Sequence, residues 1–468
     1  MAFWNMLERF GERTALITET GELLSYNQLV KQADAIGNAA NGRCLAFLMC
    51  QNSADAVAGY IGFLRHGIVP VLLAGNLDKT LLNNLLETYH PACFYLPLGY
   101  ELGIESEVVW ENGRYALVRL PYRQDYQLAE ELAVLLTTSG STGSPKLVRQ
   151  SVENIEANTR SIVEYLKITA EDRPITTLPM NYTYGLSILQ SHLCQGASII
   201  LTEKTLMDKE FWSLLKGQGA TTFGGVPYIY EILKKLRFGN MNLPHLRYIT
   251  QAGGKLSKEL AEEFNAICQS KGIQMIVMYG QTEATARMAY LPWEYAASKA
   301  GSMGIAIPGG ELALCDEQGK EIKEAGVMGE LVYRGKNVTL GYAETRFDLG
   351  KPDENHGVLY TGDMAKRDSD GFYFIVGRKK RFLKLFGSRV NLDEVEGLLK
   401  KQGIDCACTG NDDRLDIYVT EQEQKEPAET FLKEHTSINP NGFSVYVIRE
   451  IPRNEAGKIL YSALGVKK

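Results

Sequence analysis

The segment Leu135-Leu136-Thr137-Thr138-Ser139-Gly140-Ser141-Thr142-Gly143-Ser144-Pro145-Lys146 runs from an apolar stretch into a turn of hydroxyls and glycines that closes on a lysine. Ser139, Gly140, Ser141, Thr142 and Gly143 would offer a polyphosphate unhindered backbone N–H groups and hydroxyl donors, with Lys146 as a mobile cation. The same composition also makes an ordinary surface turn, because Ser, Thr and Gly are turn residues in their own right. A P-loop of the G-x-x-x-x-G-K-[ST] kind is excluded. Gly140 stands too near Lys146, Pro145 removes an N–H, and Leu147 fills the place where a Ser or Thr would hold magnesium.

Four further groups follow along the chain. Tyr279-Gly280-Gln281-Thr282-Glu283-Ala284-Thr285 sets an aromatic ring, a hydroxyl and a carboxylate close together, types that suit a nucleobase, a phosphate oxygen and a hard cation. Tyr360-Thr361-Gly362-Asp363, taken alone, is a common turn that carries a carboxylate. Gly377-Arg378-Lys379-Lys380-Arg381 is a basic run that composition alone reads as a solvated face. Pro452-Arg453-Asn454-Glu455-Ala456-Gly457-Lys458 places a lysine after a glycine, which by itself is an ordinary surface arrangement.

Taken in order, these strings resemble the adenylate-forming superfamily, which includes acyl-CoA synthetases, aryl-CoA ligases, luciferases and the adenylation domains of peptide synthetases. S-G-S-T-G-x-P-K resembles its phosphate loop, with Leu147 where the family usually has glycine. The resemblance spans Ala15-Leu16-Ile17 and Leu24-Ser25-Tyr26 to Lys458, nearly the whole chain. It implies that Tyr279, with Gly280 and Gln281, forms the adenine side of an ATP site. Thr282 would contact the α-phosphate, Glu283 would hold Mg²⁺, and Asp363, with Arg378 beside it, would bind the ribose. Lys380 falls at the family's pivot residue, so the basic run is expected to be a hinge. Arg381 stands where an acidic residue is frequent, and Leu392 where proline is. Lys458 corresponds to the adenylation lysine, and Gly387 and Arg389 lie on the face implied to reach the site in the second orientation of the small domain.

The chemistry implied is a two-step ligation. A carboxylate attacks the α-phosphate of ATP, pyrophosphate leaves, and a thiol then takes the acyl group from acyl-AMP. No general base is needed in the first step, because the acid is already ionised at neutral pH. The thiol belongs to CoA or to the phosphopantetheine arm of an acyl carrier protein. The acid pocket is expected from Asn181 and Tyr182, from Gly224 and Gly225, and from Gly253 and Gly254, with Tyr184 and Gln251 adding polarity that points to a short or hydroxylated acid. No aspartate lies between Leu178 and Ser187 to hold an α-ammonium, which disfavours an amino acid. The alternatives are an amino-acid adenylating enzyme that loads a carrier protein, a catalytically silent nucleotide-binding homologue, and a phosphoryl-transfer enzyme that makes ADP.

These residues need a scaffold, and the sequence predicts an α/β one. Cys44 to Cys50, Ile68 to Leu73, Ala133 to Thr137, Ala197 to Thr202, Tyr248 to Ala252 and Gln274 to Tyr279 read as short buried strands. Ser53 to His66, Val152 to Tyr165 and Ser257 to Ser270 have helical periodicity. From about Gly329 shorter strands predict an antiparallel sheet that closes a large N-terminal domain, residues 1–379, followed by a small mobile α+β domain, residues 380–468. At 468 residues the chain has room for both.

The composition is that of a globular protein, 45% hydrophobic and 23% charged, and a formal net charge of −6 argues against a nucleic-acid partner. Met1 to Phe10 carries no basic leader, and no apolar run reaches the roughly eighteen residues of a membrane span, so a cytoplasmic protein without membrane insertion is expected. Of eight cysteines only Cys406 and Cys408 are close, and their alternate spacing suits one face of a strand better than a metal site.

Overall fold

The computed structural model describes residues 2–137, 146–385, 388–411, 414–436, 438, 440–453 and 459–464. For Lys384, Ser388 and Arg389 the description is of the backbone alone. Ser139, Gly140, Ser141, Thr142, Gly143, Gly387 and Lys458 lie outside the described residues. The chain forms two compact units. The first comprises Met1–Gly140, Ser144–Leu312 and Tyr333–Leu359; the second comprises Ser141–Gly143, Ala313–Val332 and Tyr360–Lys468.

The first unit is built on an eight-stranded sheet whose centre runs Leu132–Thr137, Val69–Ala74, Leu45–Cys50, Cys93–Pro97. These central pairs are parallel, which explains their unbroken apolar sequences, since a parallel sheet is covered on both faces. Alternation then sorts the side chains. Ala46, Leu48 and Cys50 join one core with the helix Ala54–Arg65, whereas Leu45, Phe47 and Met49 join a second core with Leu82, Leu85 and Leu86. A second sheet begins with three parallel strands, Thr222–Gly225, Tyr248–Gln251 and Gln274–Tyr279, and continues antiparallel into Ala289–Tyr290 and Ile305–Ala306.

Helix starts are set by local chemistry. Ser53 and Ser257 accept hydrogen bonds from the third backbone N–H beyond them, Ser151 and Asn154 cap each other reciprocally, and Pro227 occupies the first turn of Pro227–Lys235. One predicted strand is shorter than expected. Ala197 to Thr202 yields only Ile199–Ile200, which pairs in parallel with Thr14–Ile17 in a separate three-stranded sheet. Thr176 takes over its C-terminal end, accepting from the Thr202 N–H through its hydroxyl.

In the second unit Val358–Arg367 pairs antiparallel with Tyr373–Arg378, in line with the sequence reading. Beyond them Cys406–Asn411, Arg414–Val419 and Phe443–Val447 form a three-stranded sheet covered by Leu392–Lys401 and Lys425–His435, with Val395, Leu399, Ile417 and Leu432 in the core. Cys406 and Cys408 are both buried free thiols there. Among the described residues no cluster of His, Cys, Asp and Glu forms a metal cage, and no helix is long and apolar enough to cross a membrane.

Candidate active site

The strand Gln274–Tyr279 ends in a reversal that exposes the functional groups of the next residues. Gly280 makes this possible, because a Cβ there would lie 1.7 Å from the Ala286 carbonyl oxygen. Thr282–Ala284 then forms one tight helical turn, and Thr285 adopts φ 65°, ψ −53°, with the Ala286 N–H donating back to the Ala284 carbonyl at 2.7 Å. This is a γ-turn with positive φ, a costly conformation that persists only when its surroundings fix it. They do so here. The Thr285 hydroxyl donates to the Asn337 carbonyl at 2.7 Å, and its own carbonyl accepts from Thr183 and Gln150. Asn337 also donates to the carbonyls of Ala284 and Arg287, each at 2.9 Å.

Glu283 is held from both ends. Its carbonyl accepts from the N–H and hydroxyl of Thr339, and its carboxylate accepts from the Tyr342 hydroxyl at 2.6 Å. The Lys146 ammonium sits 3.6 Å from the centroid of the same Tyr342 ring and 3.7 Å from Glu344. The expected phosphate lysine and the expected magnesium ligand, 137 positions apart in sequence, thus meet on one tyrosine. Burial pushes the Tyr342 hydroxyl well above its ordinary pKa, and Glu283 adds to the shift, so Tyr342 remains a proton donor. Sequence reasoning did not single out Tyr342; Gly341-Tyr342 carries no signal of its own without the fold.

Arg149 binds this arrangement together. Fully buried, it donates to the carbonyls of Leu340, Tyr342, Lys351 and Pro352 and pairs with Glu354 at 2.6 Å. It ties the strand that follows Lys146 to the segment that carries Tyr342.

Residues expected to line the acid pocket lie where the second sheet packs on the helices Val152–Leu166 and Thr183–Cys194. A Cβ at Gly253, where φ is +82°, would come 2.5 Å from the Tyr182 hydroxyl, and one at Gly224 would come 2.9 Å from Ile188 and 3.0 Å from the Tyr184 hydroxyl. Gly225 packs on Ile229 and Gly254 on Pro227. Asn181, which precedes Tyr182, is half-buried. Tyr184 is buried and shares a 2.7 Å hydrogen bond with Thr250, while the Gln251 side-chain NH₂ turns back on its own turn and donates to the Gly254 carbonyl. Beneath Gly224 remains a cavity of about 10 Å³, the space of one water molecule. Ser187, Ser191, His192, Met278 and Arg287 line it, none of which sequence reasoning had placed there.

Burial pushes the His192 imidazole down to about 4, against help from the Ile188 carbonyl. The folded protein therefore leaves this ring neutral at pH values where the unfolded chain protonates it. Stability from this source is complete above about 6.5 and is lost as pH falls towards 4, on the order of 3 kcal/mol in all. The expected result is that urea midpoints of wild type fall across this window and that His192→Gln flattens the fall. Parallel curves for the two proteins would reject the assignment.

In the second unit the Asp363 carboxylate, almost fully buried, pairs with the Arg378 guanidinium at 2.8 Å, so the two expected ribose residues are neighbours. Lys380 lies in the short turn Lys379–Arg381; Lys379 pairs with Glu330 at 2.6 Å. Arg381 enters the second unit's interior and reaches Asp393, Glu396, the Cys408 carbonyl and the ring of Tyr461. The arginine in place of an acidic residue is thus balanced by two carboxylates. Tyr461 also donates to Glu396 at 3.0 Å. Arg453 bridges to Ile459, and the Leu460 N–H donates to the Pro452 carbonyl, so the stem on either side of residues 454–458 is fixed. Arg389 lies in the strand Ser388–Asn391, paired with Phe382–Leu385.

A family model described as AMP-binding enzyme matches residues 3–343. Among curated proteins the chain is 29% identical over 350 residues to an oxalate-CoA ligase of Arabidopsis thaliana, covering 70% of this chain and 66% of that protein. It is 26% identical over 453 residues to a 2-succinylbenzoate-CoA ligase of Bacillus cytotoxicus, covering 94% and 89%. Among solved structures, the O-succinylbenzoate coenzyme A synthetase MenE of Bacillus subtilis bound to AMP superposes over 100% of this chain and 99% of its own, with TM-score 0.81 and 22% identity. ATP-bound MatB of Rhodopseudomonas palustris gives TM-score 0.77 at 22% identity, over 99% and 98%. At that identity the two structures establish the fold.

Proposed function

This chain belongs to the AMP-binding enzyme family, and from that premise we propose that it is an ATP-dependent, AMP-forming ligase that activates a carboxylic acid as acyl-AMP and passes the acyl group to a thiol. The observation that carries this reading is the convergence of Lys146 and Glu283 on Tyr342: a cation for phosphate and a carboxylate for a hard metal ion, held within one ring's width. One carboxylate plus substrate phosphates is a donor set that Mg²⁺ commonly accepts, so Glu283 would hold it, and the ion would neutralise charge on the phosphates.

The residues then divide the work. Ser139 to Gly143 and Lys146 cradle the β- and γ-phosphates, and Thr282 donates to the α-phosphate as charge builds on it. Tyr279, Gly280 and Gln281 border the adenine, and Asp363 accepts from the ribose hydroxyls with Arg378 as its counter-ion. Lys458 bridges acid and α-phosphate in the first step. For the second, the C-terminal domain, residues 380–468, turns at Lys380, withdraws Lys458 and brings Gly387 and Arg389 to the thiol. The relatives named as CoA ligases support CoA as acceptor, with a carrier protein's phosphopantetheine as the other source of the same thiol. The small cavity beneath Gly224 leaves no room for a long alkyl chain and supports the short acid of the short or hydroxylated alternatives.

Pyrophosphate exchange into ATP, run with Mg²⁺ over a panel of short, hydroxylated, aryl, fatty and amino acids, tests the reading. Acid-dependent exchange with AMP as product is expected. ADP as product, or no exchange with any acid, would overturn it.

A further inference from the structure

One peptide group of the first unit joins the two sides of the candidate site. The Thr285 carbonyl, aimed by the positive-φ γ-turn, accepts from the Thr183 hydroxyl and from Nε2 of Gln150 at 3.3 Å. Both donors are buried. Gln150 holds its place at a cost, since its Oε1 has no partner among the described residues. Two donors match the two lone pairs of a carbonyl oxygen, so this acceptor is fully used.

Each donor belongs to a different segment. Gln150 lies in the strand Leu147–Ser151, which follows Lys146. Thr183 opens the helix Thr183–Cys194, directly after Asn181 and Tyr182 of the expected acid pocket. Tyr182 gives that helix no side-chain cap, and the Thr183 hydroxyl reaches across to Thr285. On the other side of the peptide, Thr285 stands two residues after Glu283. Its hydroxyl donates to the Asn337 carbonyl, in the segment that continues to Thr339 and Tyr342, the two residues that hold Glu283. A shift at the start of the acid-side helix therefore either moves the Glu283 turn or breaks a buried hydrogen bond.

We infer that Thr183 is a positioning residue for the nucleotide side of the site: through the Thr285 peptide it sets the turn that carries Thr282 and Glu283, and it makes binding of the acid and binding of Mg²⁺-ATP favour each other. The identity of the two ligands rests on the ligase reading. The inference deepens that reading by making the two pockets one coupled unit, with the coupling carried by a side chain that the chemistry itself does not use. Such coupling is reciprocal, so it is readable from either ligand.

Thr183→Val removes the donor and keeps the branched shape, Thr183→Ser keeps the donor, and Thr183→Ala is the second donor-free variant should the valine protein not fold. Calorimetric titration of ATP over a range of Mg²⁺ needs no acid. Its Mg²⁺ midpoint is expected to rise about 5- to 30-fold in Thr183→Val, the effect of one lost buried hydrogen bond, and to stay within about twofold of wild type in Thr183→Ser. Pyrophosphate exchange with the best acid of the panel then gives KM for the acid at low and at saturating ATP. In wild type this KM is expected to fall by about 5-fold or more as ATP saturates, and in Thr183→Val to be equal at both. A donor-free variant with a lower Tm but the wild-type Mg²⁺ midpoint would show a purely structural role and overturn the inference. A wild-type KM for the acid that ignores ATP would overturn the coupling. Absence of exchange with every acid would remove the ligase reading, while the calorimetric measurement would still decide the role of Thr183.

Discussion

Replacing Lys458 by alanine is expected to lower acyl-AMP formation by on the order of 10² to 10³-fold, while thioester formation from preformed acyl-AMP and thiol proceeds at close to the wild-type rate. The argument is electrostatic. An anionic carboxylate must approach an α-phosphate that already carries negative charge, and a bridging ammonium offsets that repulsion most strongly in the transition state, where both partners share charge. The second step has a neutral acyl carbon as its target and a leaving AMP, and it has no need of the same cation. Single-turnover measurement of each half-reaction separates them. Equal loss in both would show that Lys458 serves the fold or a shared intermediate and would sink the assignment. The stem that carries this lysine is anchored independently through Arg453, Pro452 and Tyr461, so the alanine variant should fold normally.

Glu283→Gln should be the second large effect. Glutamine can still accept from the Tyr342 hydroxyl, so the local geometry survives, but the negative charge that a hard divalent ion requires is gone. Exchange should fall by on the order of 10² to 10³-fold at low millimolar Mg²⁺, and raising Mg²⁺ should restore part of it, with KM for the acid little changed. An Mg²⁺ titration with the same midpoint as wild type would exclude Glu283 as the metal ligand. Because Lys146 shares Tyr342 with Glu283, Tyr342→Phe provides the control: it frees the carboxylate without removing its charge and should leave the Mg²⁺ midpoint near the wild-type value.

Much of the scaffold was legible in the sequence, since parallel strands such as Leu45–Cys50 and Gln274–Tyr279 are continuous apolar runs and their helices begin at Ser caps. Ile199–Ile200 was overestimated because an apolar run does not announce where a side chain such as Thr176 will take over its hydrogen bonds. Linear motifs singled out Glu283, Asp363 and Arg378 as candidates, because their neighbours in sequence form the pattern. Tyr342 and Arg287 were not legible in the same way. Their meaning arises from partners far along the chain, Lys146 for one and Tyr184 with Tyr165 for the other, and a single Tyr or Arg has no local signature of such a meeting. Gln251 was read as pocket polarity, and that its NH₂ donates to the Gly254 carbonyl is a contact that only the turn's geometry supplies.

Arg149 has a consequence for how the molecule opens. Its side chain joins the strand Leu147–Ser151 to carbonyls at four positions between Leu340 and Pro352, so neither stretch can separate without stranding a buried guanidinium. In native-state hydrogen exchange the amides of these two stretches should share one opening free energy, and protection at Leu340 should rise and fall with that at Arg149. A protease cut between 340 and 352 would then require the release of the strand that follows Lys146, making resistance to cleavage there a direct gauge of whether Lys146, Tyr342 and Glu283 are assembled.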